Sequence, residues 1–317
     1  GFREIDRVLA ACRRFSRPVY LEIPRDMVHV APDVLPPTPS AEPESDPHAL
    51  AEAVDEAVRK ISGARQPVLL LGVEVHRFGL QDLALKLAET ASIPLAATML
   101  GKGVVAEKHA LYMGLYEGAL GREEVTRYVE ASDCVVMLGT FMTDLNLGIY
   151  TANLDMTNCV YATSEQLRIR HHHYRDVRLA DFLEALADRA GSFASKDAAA
   201  SAPTDWHVEP FHLKPEAPIT ISRMIGRLDE QLDDGTLVIA DIGDALFAST
   251  DLTTHGRTEF LSPAYYTSMG YAVPAALGAR TARPEERVVA IVGDGAFQMT
   301  GVGLFGLDRA KMRVVVI

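Results

Sequence analysis

The sequence predicts an α/β protein: parallel sheets covered by helices. Three observations predict it. Helical and strand-like periodicities alternate along most of the chain, the strand-like runs are continuously apolar, and two of them end in turns rich in Gly and Asp. A continuously apolar strand needs cover on both faces, which crossover helices supply. At 317 residues the chain is long enough for about two domains, each with its own core.

Taken in order, residues 4–15 place Ile5, Val8, Leu9 and Cys12 at helical spacing, and 18–23 read as a strand. Pro32, Pro36, Pro37, Pro39, Pro43 and Pro47 exclude regular structure and make 31–47 a semi-rigid linker after a first unit over 1–30. A second unit spans 48–190. Its first helix carries Ala49, Leu50, Ala53, Val54, Ala57, Val58 and Ile61 on one face, with Gly63 as a stop. Strand 67–72 follows, then a helix with Leu80, Leu83, Ala84, Leu87 and Ala88, and a strand over 93–97. Val125, Tyr128 and Val129 mark another helix, 134–138 and 160–163 two more strands, and Phe182, Leu183 and Leu186 a last helix. A linker over 191–217, rich in Ala, Ser, Pro and Asp, leads to a third unit over 218–317. That unit holds a helix at Ile221, Met224, Ile225 and Leu228, strands 237–240 and 288–292, and a helix of small residues between them over 272–282.

Composition narrows the function. The net charge of −12 argues against a binder of nucleic-acid phosphates, whose affinity is built on Lys and Arg. No apolar run approaches the roughly 18 residues that cross a bilayer, so no membrane partner is expected. Cys12, Cys134 and Cys159 lie far apart with no CxxC pairing, which fits a reducing cytoplasm better than a disulfide or zinc scaffold. The chain opens on Gly1-Phe2-Arg3 and closes on Val314-Val315-Val316-Ile317, a run that reads as a strand wanting neighbours on both faces. The sequence is therefore expected to be an internal piece of a longer protein.

The sharpest chemical feature is strand 288–292 opening into Gly293-Asp294-Gly295. Two glycines let the backbone come close to a phosphate, and a following helix running through Leu304 and Leu307 would turn N–H groups toward it. Asp294 repels a bare phosphate, so it makes sense with a Mg²⁺ lying between them. Standing alone, Asp-Gly after a strand is also an ordinary tight turn.

In its surroundings the motif resembles that of the thiamine diphosphate (ThDP) enzymes of the 2-oxo acid decarboxylase family, where Gly-Asp-Gly, a βα stretch and Asn-Asn follow one another. Residues 296–317 supply that βα stretch. Three more segments match in family order: Arg17-Pro-Val-Tyr-Leu-Glu-Ile-Pro24, Ala240-Asp-Ile-Gly-Asp244 and Ser268-Met-Gly-Tyr-Ala-Val-Pro-Ala-Ala276. The resemblance implies a ThDP-binding fold with a Rossmann-like central domain. It makes 1–30 the end of a pyrimidine-binding domain and 218–317 part of a diphosphate-binding domain.

The same resemblance assigns roles. Asp294 would be the Mg²⁺ ligand, with Gly295 and the backbone of Ala296 near the diphosphate, and Asp244 would approach it from the other βα loop. Met269 would wedge the coenzyme into its bent shape, the Thr267 carbonyl would accept from its 4′-amino group, and Ser268 lies between them in the same binding segment. Ile242 would line the substrate pocket. No catalytic side chain is assigned within the chain, because the family's acid/base residues would lie upstream and downstream of it. The implied reaction is ThDP- and Mg²⁺-dependent decarboxylation of a 2-oxo acid to an aldehyde and CO2. Wording around Val73–Leu80 and Pro263–Gly270 looks most like bacterial indolepyruvate/phenylpyruvate decarboxylases, so an aromatic or branched 2-oxo acid is expected. A homodimer or homotetramer is implied, and the 317 residues alone are expected to be inactive. The alternatives are an acetolactate synthase-like carboligase and a catalytically inactive binding protein of the same fold.

Two further features read as structural. Thr143-Asp144-Leu145-Asn146 looks like a turn whose polar groups cap backbone, and His171-His172-His173 places consecutive side chains apart rather than on one metal. Leu70 to His76 holds no Gly-x-Gly-x-x-Gly, so dinucleotide binding is unsupported.

Overall fold

The computed structural model describes residues 2–31, 44–194, 199–205, 211–256 and 258–317. Most of the expected proline linker, and residues 195–198 and 206–210 of the second linker, lie outside the described residues. Helix α1 (Phe2–Phe15) forms where the apolar spacing predicted it, and none of its residues is fully buried. The expected strand over 18–23 is absent. A strand needs a hydrogen-bonding neighbour, and this segment pairs with none among the described residues; Tyr20 is 81% exposed and Ile23 53%.

The first sheet begins with α2 (Pro47–Ser62), which starts at Asp46: its carboxylate accepts from the His48 and Ala49 N–H groups at 2.9 and 2.8 Å. That is a capping residue followed by Pro at the first helical position. Strand β1 (Pro67–Leu71) leads to α3 (Val73–Arg77) and α4 (Gln81–Ala91), then β2 (Leu95–Ala97) and β3 (Tyr112–Leu115). Helix α5 (Glu123–Glu130), β4 (Cys134–Leu138), β5 (Cys159–Ala162), β6 (Leu167–Ile169), β7 (His172–Tyr174) and α6 (Leu179–Asp188) complete it. The strand order is β3-β2-β1-β4-β5-β6-β7. Pairing is parallel as far as β5, while β6 and β7 add antiparallel. The connections 163–166 and 170–171 are too short for a crossover, so only antiparallel pairing is possible there.

Alternation along β1 sets up two cores. Leu69 and Leu71 pack on the face covered by α2, α4 and α6, while Val68 and Leu70 pack on the face covered by α5. This is the period of a strand buried on both faces.

The second sheet follows α7 (Ile221–Asp229): β8 (Thr236–Ala240), α8 (Asp244–Ser249), β9 (Glu259–Leu261), α9 (Ala272–Ala282), β10 (Arg287–Ile291), α10 (Asp294–Thr300), α11 (Gly303–Arg309) and β11 (Val315–Val316). Its order is β11-β10-β8-β9, all parallel. The helix expected to run on through Leu304 and Leu307 is broken after Thr300. At the break sits Gly301, whose site would put a Cβ 2.8 Å from the Phe297 carbonyl oxygen. The closing strand is shorter and less buried than expected: it pairs only with β10, and Val315 is 47% exposed.

The two sheets meet through a buried polar seam. Lys102 donates to Glu107 Oε1 and to the Leu252 carbonyl, both at 2.7 Å, while the Thr254 N–H donates to Glu107 Oε2 at 3.0 Å. Beside them Glu117 is 4% exposed, and its Oε1 has no hydrogen-bond partner. Burial, reinforced by Asp251 and partly offset by Lys102, pushes its carboxyl up to about 7.

Candidate functional site

Strands β8 and β10 lie side by side and parallel, with Arg287 opposite Thr236 and Ile291 opposite Ala240. Both therefore deliver their following loops to one edge of the sheet, where open α/β sheets take ligands. The β8 loop is Asp241-Ile242-Gly243-Asp244 and the β10 loop is Val292-Gly293-Asp294-Gly295. Asp244 and Asp294 are the first residues of the short helices α8 and α10, and both are exposed. Gly243 adopts φ +89° and ψ −150°, a conformation essentially restricted to glycine.

The glycines border open space. A Cβ at Gly243 or Gly293 would meet no atom within 4 Å, and one at Gly295 would meet only Met269 Cε at 3.9 Å. Ala296 is 3% exposed, so its methyl group is not available to a ligand. Ile242 is half-buried on an apolar cluster that includes Met99, Leu145 and Leu246. Among the described residues no group of three His, Cys, Asp or Glu side chains could hold a metal by itself. An ion at Asp294 would therefore draw its remaining ligands from elsewhere, which is the habit of Mg²⁺ shared with phosphates.

A third loop comes to the same edge. Residues Tyr265 to Met269 are all exposed, Met269 at 51%, and the Thr267 N–H donates to the Pro263 carbonyl at 2.8 Å. Thr267 has φ +53°, a costly conformation for a β-branched residue. Behind the loop, the fully buried Asp241 carboxylate accepts from the Ile242 N–H (2.9 Å) and Gly270 N–H (3.1 Å) on one oxygen and from the Ala272 N–H (2.8 Å) on the other. The Thr300 hydroxyl donates to the Gly270 carbonyl at 2.7 Å. Gly270 itself sits at φ +85°, and a Cβ there would strike Thr300 Cγ2 at 2.8 Å.

The structure thus brings Asp244, Thr267, Ser268, Met269, Asp294, Gly295 and Ala296 to one sheet edge. Sequence reasoning missed Asp241 as a side chain with its own work, although a carboxylate directly after a buried strand was the available signal. It also missed a cleft of about 810 Å³ beside Thr267, lined by Arg17, Arg77, Phe141, Tyr150 and Tyr266 among others. There Arg17 stacks over the Phe141 ring at 4.7 Å, within cation–π range.

The two polar features make local contacts. Asn146 accepts from the Leu100 N–H at 3.2 Å and donates to the Phe141 carbonyl at 2.9 Å, while its own N–H donates to Thr143 Oγ1 at 3.2 Å. His172 Nδ1 lies 2.7 Å from Glu56 Oε2, to which Tyr174 also donates at 2.5 Å. Cys134 and Cys159 are buried free thiols; burial pushes them up to about 12 and about 11, which makes them poor nucleophiles. Among the described residues no helix is long and apolar enough to cross a membrane.

Comparison with known proteins adds the following. Residues 54–188 match the thiamine pyrophosphate enzyme central domain, and residues 241–317 match the thiamine pyrophosphate enzyme C-terminal TPP binding domain. The chain is 35% identical over 318 residues to an indole-3-pyruvate decarboxylase of Azospirillum brasilense, covering 99% of this chain and 57% of that protein. It is 29% identical over 309 residues to pyruvate decarboxylase isozyme 1 of Saccharomyces cerevisiae, covering 94% of this chain and 54% of that one. An alpha-keto-acid decarboxylase of Mycobacterium ulcerans matches at 29% over 325 residues, 99% of this chain and 56% of its own length. The chain spans a little over half the length of these relatives.

Proposed function

We propose that this chain, which belongs to the thiamine pyrophosphate enzymes and carries their central and C-terminal TPP-binding domains, supplies the diphosphate and metal anchor of a 2-oxo acid decarboxylase. The observation that carries the reading is the pair of neighbouring βα loops, whose glycine backbones face open space beside one exposed carboxylate each. That is a cradle a diphosphate can enter, with Asp294 placed to share a Mg²⁺ with its oxygens.

In this reading Asp294 holds the metal, Gly295 and Ala296 offer backbone to the diphosphate from one loop, and Asp244 does so from the other. Met269 and the Thr267 carbonyl meet the ring portion of the coenzyme, with Ser268 between them. Bound there, the coenzyme supplies the electron sink that lets a 2-oxo acid lose CO2. The chain's own contribution is to bind and to orient. Ile242, half-buried at the loop's start, would narrow the substrate pocket, where one methylene changes selectivity by only about 1–3 kcal/mol. The likeness to the indole-3-pyruvate decarboxylase supports an aromatic 2-oxo acid such as indolepyruvate or phenylpyruvate. Met299, Val302 and Phe305, exposed at 61%, 75% and 78% on α10, α11 and the turn between them, support contact with a second copy in a homodimer or homotetramer.

The test is direct. The full-length protein, given ThDP and Mg²⁺, should release CO2 and the corresponding aldehyde from indolepyruvate or phenylpyruvate. Formation of an acyloin with no free aldehyde would make it a carboligase instead, and no turnover of any 2-oxo acid would remove the enzymatic reading.

A further inference from the structure

Resting on the reading of this edge as the coenzyme anchor, we propose that Asp241 is a positioning residue whose carboxylate clasps the β8 loop to the 267–272 loop and so presents Thr267 and Met269 to the coenzyme. The starting point is an expensive arrangement. Asp241 is fully buried, and a carboxylate taken out of water is costly unless its oxygens are satisfied. Here three backbone N–H groups satisfy them, one from its own loop and two from residues 29 and 31 positions further along the chain. Its carboxylate thus joins two loops that meet only in three dimensions.

What the bonds hold is the informative part. Gly270 is gripped on both sides: its N–H by Asp241 at 3.1 Å and its carbonyl by the Thr300 hydroxyl at 2.7 Å. The grip keeps it at φ +85°, where any side chain would collide with Thr300. At the other end, the Thr267 N–H is tied to the Pro263 carbonyl at 2.8 Å. Between these ties, Thr267 is left-handed at φ +53° and, with Ser268 and Met269, exposed. A strained residue of this kind persists only where its surroundings over-determine it. Few contacts surround Thr267 on its exposed side, so the constraint comes from the two ends. Asp241 also accepts from the Ile242 N–H at 2.9 Å, which fixes the start of the loop that carries Gly243 and Asp244. One buried carboxylate therefore sets the spacing between the loop beneath the coenzyme's rings and a loop beside its phosphates.

Asp241→Asn removes one acceptor oxygen and puts an NH2 group against a backbone N–H, so at least one of the three bonds must fail. In full-length protein freed of coenzyme, amide hydrogen exchange at Gly270 and Ala272 should quicken roughly tenfold or more, as expected when a bond to a charged group is lost. The affinity for ThDP in the presence of Mg²⁺, read by calorimetry, should weaken by roughly tenfold. Thr300→Ala should shift both readouts in the same direction by a smaller factor, and Thr300→Ser, which keeps the hydroxyl, should restore them. A bond with a purely structural role would lower the thermal midpoint and leave the affinity at lower temperature unchanged. That result, or unaltered exchange in a folded Asp241→Asn, overturns the proposal. Should Asp241→Asn fail to fold, the Thr300 pair decides by the same criteria. Wild-type protein and Asp294→Ala are titrated alongside: wild-type protein that binds no ThDP refutes the anchor, while the exchange data still judge the clasp.

Discussion

Among the described residues the molecule carries two crevices of the same kind, and their loops pack differently. In the first sheet, strand order reverses between β1 and β4, the place where α/β sheets of this type bind ligands. There the chain packs its own backbone and a buried carboxylate between the strand ends, while a cleft remains beside Arg77 and Phe141. Gly72 and Gly139 bring two backbones together so closely that a Cβ on Gly72 would lie 2.3 Å from the Gly139 carbonyl oxygen. Glu74, fully buried beside them, accepts from Arg17 at 3.0 Å and from the Ser164 N–H and hydroxyl at 2.8 and 2.5 Å. In the second sheet the equivalent edge between β8 and β10 keeps its glycines open and its carboxylates exposed. Topology makes a place for a ligand; what the place offers one depends on how the loops satisfy their own polar groups.

Substitution of glycine gives the largest test of that contrast. Gly72→Ala should destabilise the protein by about 3 kcal/mol or more, because backbone cannot move aside as a side chain end can. Gly293→Ala, with nothing within 4 Å of the new methyl, should leave the melting temperature within about 1 °C of wild type. Melting curves of the two variants check this pair, and equal losses would break the comparison.

Next in size is the second crevice's carboxylate. Asp294→Ala should weaken Mg²⁺-dependent ThDP binding by about 100-fold, near the upper end for loss of a charged contact. Coenzyme titration by calorimetry reads it. Retention of both metal and coenzyme at wild-type strength would remove the anchor altogether.

The seam between the two sheets supplies a smaller effect with a definite sign. Glu117 carries its proton up to about pH 7 in the folded protein, against an ordinary value of 4.5. The folded state therefore binds the extra proton between those values, and stability should fall as pH rises through the window and level off above it. Between pH 5 and 7 the loss should be about 2 kcal/mol, and Glu117→Gln should abolish the slope. Denaturant unfolding at several pH values measures it.

The smallest effect belongs to the first sheet's crevice. Arg17→Ala leaves Glu74 its two Ser164 bonds, and the Arg17 side chain is 29% exposed, so solvent screens part of the pair. A loss of about 1 kcal/mol is expected in the same unfolding assay. A loss several times larger would mean that Arg17, not Ser164, holds that crevice's loops together.

Much of this was legible in the sequence because it rests on local physics. Continuous apolar runs such as 134–138 and 237–240 have no soluble alternative to a covered strand. The Asp46-Pro47 start of α2 was assigned to the linker instead, although capping chemistry among neighbours was the available signal. The Gly-Asp-Gly turn stood out only in company with its neighbouring segments, since alone it is also an ordinary tight turn. The misses share another cause. Residues 18–23 have strand composition but no partner strand among the described residues, and β6 and β7 run antiparallel because of connection lengths rather than composition.

By itself, then, the sequence determined the α/β class, the two apolar strands that deliver the loops, and the residue types that a diphosphate and a divalent ion require. Only the tertiary structure decided which loops would face one another, that Asp241 would reach Gly270 and Ala272 across about thirty intervening residues, and that the loops of the two crevices would pack differently. Periodicity and turn chemistry act within a few residues of one another. Hydrogen bonds to buried carboxylates and collisions at glycine backbones are settled between segments far apart in the chain, once the sheets have set their spacing.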